Sequence, residues 1–205
     1  MAANIAMRRA AKAARRKVVV AEKRKAEMFE GTLTAKVRRA ANAPIQHCLL
    51  QDALFEAGIG TLILARGLSQ DHLNVGVFLV DVSCLGVKDV LFQSIGAAEF
   101  ELLVANAGAA SPLVDVDPSY ARKLLRDVTV WSRSIGFSPH RDFAAVEPLF
   151  GDVRAEACDM TFQFGRDGKP VYAPGPFETP AQVRLRLEQL RRRLGNEGFE
   201  AISAL

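Results

Sequence analysis

The chain is poor in the residues that staple or anchor a protein. Its three cysteines, Cys48, Cys84 and Cys158 in 205 residues, are an odd number at unrelated spacings. Without a C-x-x-C pair they argue against a disulfide framework and against a zinc site. A reducing, cytoplasmic setting is the expectation. No apolar run approaches the ~18–20 residues of a membrane span, so no membrane partner is expected. No G-x-x-x-x-G-K-[ST], no G-x-G-x-x-G after a strand and no H-E-x-x-H occurs, and no nucleotide cofactor is expected. The three histidines are not in metal-ligand spacing, so no metal site is assigned. The first 21 residues lack acid and serine and carry no long apolar core. Freedom from acid keeps a targeting peptide open as an alternative; the missing serine counts against an organellar presequence and the missing apolar core against a secretory signal.

What the sequence does have is charge of one sign at one end. Residues 1–43 hold twelve Lys/Arg and three Glu, a net of +9. Residues 44–205 hold fifteen Lys/Arg and twenty Asp/Glu, a net of −5. A basic arm over 1–43 on a single domain over 44–205 is the expected organisation. Ala, Lys and Arg favour helix, so the arm is expected to be helical from Ala3 to Met28 and again over Leu33–Ala41. Its apolar stripe is thin, which leaves Arg8, Arg9, Lys12, Arg15, Arg16 and Lys17 to meet solvent or phosphates.

After Pro44, residues 45–58 read as a linker with one helical turn near Gln51–Glu56. The densest β signal follows: strands over 60–66, 74–84 and 87–92, with Gly86 permitting a bulge. Glu99–Val104 fits either a strand or a helix. Asp117 as N-cap and Pro118 at the first position open a helix over 118–135, whose apolar residues Ala121, Leu124, Val128 and Ile135 share a face. Ser138-Pro139 starts a short helix to Glu147, stopped by Pro148. Asp167-Gly168 predicts a hairpin over 160–173. Thr179-Pro180-Ala181-Gln182 is a capping box opening a helix over 180–194. The expected fold class is α+β, a mostly antiparallel sheet with helices packed on it, preceded by the basic helical N-terminal arm.

Asp81 is the carboxylate placed most oddly, inside an apolar strand. Burying it requires a partner or a cation. One reading makes it the centre of a metal-dependent nuclease or phosphoesterase; the other pairs it with Arg66 or Lys88. The adjacent His47 and Cys48 would need to converge in space to form a nucleophile–base pair, and neighbours on a chain rarely do. His140 reads as structural. The last helix carries Arg191 and Arg192 on its polar side, where they extend a nucleic-acid-binding face or cover apolar surface with their stems.

The stretches FLVDVSCLGVKDVLF (78–92) and SIGFSPHRDFAAVEPLFGD…FQFGRDGKPVYAPGP (134–176) resemble a family of uncharacterised bacterial proteins, over roughly residues 45–200. The phrases CLGVKD and FGRDGKP carry the resemblance. It implies a soluble α/β body and no activity, cofactor or site residue. The functional expectation therefore comes from charge: a non-enzymatic RNA- or DNA-binding protein using its arm. The alternatives are the Asp81 nuclease and a subunit of a larger assembly docking on an acidic protein surface.

Overall fold

The fold follows from strands that are apolar on both sides. In the computed structural model, which describes residues 31–202, Leu62 and Leu64 point into one core while Ile63 and Ala65 point into another. All four are fully buried. A strand with this pattern needs cover on both faces, and it receives it. Strands β1 (Ile45–Gln51), β2 (Ile59–Ser69), β3 (His72–Asp81), β4 (Gly86–Ile95) and β5 (Leu113–Asp115) form one antiparallel sheet in the order β4-β3-β2-β1-β5. The α+β class is as the sequence indicates. The helix expected from Ala3 to Met28, with Arg8, Arg9, Lys12, Arg15, Arg16 and Lys17, lies outside the described residues.

On one face lie α1 (Leu33–Ala40), α4 (Pro118–Ser134) and α5 (Phe143–Val146), the last running into a 3-10 turn at Glu147–Phe150. α4 begins as the sequence predicts: the Asp117 carboxylate accepts from Ser119 N–H at 2.7 Å. Its stripe Ala121, Leu124, Leu125 and Val128 is fully buried, each leucine contributing roughly 1.5–3 kcal/mol. On the other face α3 (Ala97–Ala107) sets Phe100, Leu103 and Val104 against Ile63, Leu73 and Val75. α3 resolves the strand-or-helix ambiguity at 99–104 in favour of helix. A third cluster joins Cys84, Leu85, Ile135, Phe137, Tyr172, Leu190 and Phe199. It ties α6 (Pro180–Leu194) to the β3–β4 end. A single turn, α2 (Leu54–Ala57), links β1 to β2.

Three expectations need correction. Residues 45–51 are strand β1, not linker; the run Cys48-Leu49-Leu50 is buried between β2 and β5. The short helix expected over Leu33–Ala41 is present as α1, and its Ala35, Val37 and Ala40 are buried against the body. The helix expected over 139–147 shrinks to α5, and Pro148 sits at the start of the 3-10 turn rather than barring helix. The 160–173 hairpin survives only as its turn. Arg166 and Lys169 exchange two backbone hydrogen bonds of 2.9 Å around Asp167 (φ 53°) and Gly168 (φ 79°), the primed geometry. Its flanks do not pair. Phe162 and Phe164 turn towards Tyr120 and Trp131, and β6 (Val171–Tyr172) pairs in parallel with β7 (Glu200–Ala201).

A bulge lies two residues beyond Gly86, which itself pairs with Asp81. Leu79 pairs with Asp89 and Val80 with Val87, which leaves Lys88 without a counterpart on β3. Val87 and Val90, three apart, therefore face the same core, and Lys88 is re-aimed towards the sheet end.

Candidate functional sites at the two ends of the sheet

At the β3–β4 end, Asp81 is buried, and its partner is backbone. Its Oδ1 accepts from Ser83 N–H at 3.0 Å and Cys84 N–H at 2.8 Å, closing the turn into β4. Burial pushes its pKa above the usual carboxylate range, opposed by the Cys84 N–H bond and by the Lys88 charge. Arg66 is not its partner. On β2, Ile59 stands opposite Asp81 and Arg66 opposite Asn74, which places Arg66 about 23 Å away along the strand.

Lys88 instead lies 3.6 Å from Glu178 Oε1. Glu178 also accepts the Tyr172 hydroxyl at 2.5 Å and a bond from Arg186 Nη1. Burial drives Glu178 up, but the Tyr172 bond, Arg186 and Lys88 outweigh it, and the carboxyl ends below its ordinary value. The same contacts act on Tyr172, whose phenol is pushed up to about 12, first by burial and then by its bond to Glu178. Asp81, Lys88, Asp89, His140 and Glu178 share a cleft of about 810 Å³ with the exposed Phe177. His140 Nδ1 accepts from Asp142 N–H at 3.3 Å. Its Nε2 faces Asp89 Oδ1 at 3.6 Å. Among the described residues no three His, Cys, Asp or Glu cluster as metal ligands.

His47 and Cys48 part as strand alternation requires. Cys48 is buried, its thiol pushed up to about 12 by desolvation and then by Asp117 and Asp115. His47 stacks on Phe100 with centroids 4.7 Å apart and donates from Nε2 to Gln70 at 2.9 Å. They cannot act as a pair.

The opposite end of the sheet is basic. Lys36, Arg38 and Arg39 stand exposed on α1, and none forms an ion pair with a described residue. Lys36 and Arg39 line a groove of about 570 Å³ with Ser69, His72, Asn74 and Ser94, and no carboxylate lines it. The β2–β3 turn forming its far wall is held by Gln46, whose Nε2 donates to Gly67 O at 2.8 Å. Sequence reading counted these cations in the total for 1–43 but could not place them. The helical period that buries Val37 and Ala40 is what turns Lys36 and Arg39 outward.

Arg191 and Arg192 are exposed in the last turn of α6, where cations also complement the helix dipole. Their neighbour Arg193 donates to Ser134 O at 3.1 Å, so this turn sits at the end of α4, on the Cys84 cluster. No helix of the described residues is long and apolar enough to cross a membrane. No protein-family model, curated protein or solved structure matches the chain.

Proposed function

We propose that the protein binds a nucleic-acid backbone, RNA or DNA, through its basic N-terminal residues and the α1 groove that continues from them. The observation that carries this reading is a run of exposed cations on α1, without an ion-pair partner among the described residues, beside a groove whose described lining has no carboxylate. The +9 of residues 1–43 enters the body at that helix. An acidic body elsewhere steers the polyanion to this face. Base edges play no part in this reading: contacts to phosphate give affinity without sequence preference.

The test is fluorescence anisotropy of a labelled single-stranded oligonucleotide titrated at several salt concentrations. Log affinity is expected to fall linearly with log salt, by roughly 0.7 for each phosphate contacted. The Lys36→Ala/Arg39→Ala double variant should lower that slope by about 1–2 and weaken binding at low salt roughly tenfold. Equal affinity and equal slope in wild type and double variant would sink the groove's part in the reading. Absence of binding at low salt would sink the whole of it and leave an acidic protein surface as the partner to test.

A further inference from the structure

Arg66 is the one buried cation among the described residues, 4 % exposed. Its Nη1 donates to Ala43 O at 2.5 Å and its Nη2 to Phe150 O at 2.7 Å. Its Nε has no acceptor, and no described carboxylate lies within ion-pair distance. A guanidinium carries five N–H donors in a planar fork. Two main-chain carbonyls neutralise none of its charge; burial disfavours the cation, and the Asp152 charge, beyond ion-pair distance, offsets this only in part.

The guanidinium lines an open cleft of about 760 Å³. Ala41–Ile45 form one wall and Gly151–Val153 the other. Gly151 keeps that wall bare. At φ 61° it tolerates no ordinary side chain, and a Cβ there would stand 3.1 Å from Arg66 Nη2 and 3.0 Å from Ala41 O. Arg122 anchors the same wall, donating to Gly151 O at 2.9 Å and Val153 O at 2.5 Å, with its own counter-charge in Glu147 at 2.8 Å. Asp152 is the sole carboxylate in the cleft lining, and it is exposed at the mouth.

We propose that this cleft is an oxyanion site that takes a phosphate monoester group, with Arg66 as its anchor. Two of the guanidinium's five N–H donors are used by the carbonyls of Ala43 and Phe150; those left over are the kind of charge-assisted donor that suits a phosphate. Two sources of that group are compatible with the geometry. One is the terminal phosphate of a bound strand, since Ala43 lines both this cleft and the α1 groove; this source rests on the nucleic-acid reading. The other is a small phosphorylated ligand, which does not.

The experiment is isothermal titration of the full-length protein with inorganic phosphate at constant ionic strength. Wild type, Asn42→Asp and Asp152→Asn are compared. Asn42 is exposed and lines the cleft, so an aspartate there supplies Arg66 with an internal counter-charge without touching the core. Saturable binding is expected in wild type, at least tenfold weaker in Asn42→Asp and several-fold tighter in Asp152→Asn. Phosphate that fails to bind wild type, or binds Asn42→Asp equally well, overturns the proposal. Arg66→Met should also lose binding, and Asn42→Asp carries the test if that variant does not fold. Oligonucleotides with and without a terminal phosphate then separate the sources. A fivefold or greater preference for the phosphorylated strand, absent in Asn42→Asp, assigns the strand end. Equal binding of both strands beside a saturable phosphate response assigns the small ligand and leaves the site standing. No oligonucleotide binding beside that response sinks the nucleic-acid reading alone.

Discussion

Two carboxylates at the β3–β4 end are stabilised by different chemistry, and pH separates them. Asp81 is acidic by nature but buried, and burial raises its folded pKa above the unfolded value. Its contribution to stability is therefore complete below the unfolded pKa and is lost as pH rises, from about pH 4 upward. Glu178 is held down by Tyr172, Arg186 and Lys88. Its contribution is present above its unfolded pKa and is lost as pH falls through the depressed folded value. Urea unfolding across pH should show Asp81→Asn gaining on wild type as pH rises, and Glu178→Gln gaining as pH falls. Parallel curves for either variant would contradict the assigned environment. Asp81→Ala removes the acceptor of two backbone N–H groups and is expected to cost about 2–4 kcal/mol. Sequence marked Asp81 as a residue that had to be satisfied. It could not say by what, because a turn that returns its own N–H groups to a side chain leaves no signature beyond the turn residues themselves.

The elements differ in how plainly they were written. The helices over 118–134 and 180–194 were legible because cap, proline and apolar period agree, and β2–β4 because their apolar runs are long. β1 was not. Its polar residues Gln46, His47 and Gln51 mask a buried strand, and Gln51 is satisfied only by distant groups, donating to Ala107 O and accepting from Thr61 N–H, each at 2.7 Å. The 160–173 hairpin failed for the converse reason: its turn is sound, but Phe162 and Phe164 gain more by packing on Tyr120 and Trp131 than by pairing. Gly86 joins two elements. A Cβ there would meet Ser132 Oγ at 2.4 Å, at φ 72°, where α4 crosses the start of β4. Gly86→Ala should lose about 2–4 kcal/mol in thermal or urea unfolding. Adding Ser132→Ala should recover only part of it, since the hydroxyl contact is relieved while Ser132 Cβ, 2.7 Å away, and the backbone strain remain. Full recovery would locate the cost in packing alone. Thr179→Ala, which removes the α6 cap, should cost about 1 kcal/mol.

Over the whole molecule, charge and core meet at α1. The partition of +9 and −5 was legible from composition, and it suggested a basic arm reaching to residue 43. The buried Ala35, Val37 and Ala40 tie Leu33–Ala40 to the body. This separates two deletions that composition would treat alike. Removing residues 1–43 takes α1 from the core and exposes Val37's pocket beside Phe143 and Phe150; by analogy with large core deletions this should cost several kcal/mol. Removing residues 1–30 takes nine of the twelve cations of residues 1–43 and spares every contact between described residues. The shorter deletion should keep a cooperative melt within a few degrees of wild type and lose oligonucleotide affinity at low salt by tenfold or more, with a flatter salt slope. What affinity it retains should vanish on Lys36→Ala/Arg39→Ala, because those cations alone then face the groove. If the shorter deletion binds as tightly as the full chain and still does so with Lys36→Ala/Arg39→Ala, the polyanion is held elsewhere on the body, and the search moves to the Arg66 cleft and the exposed turn at Arg191 and Arg192.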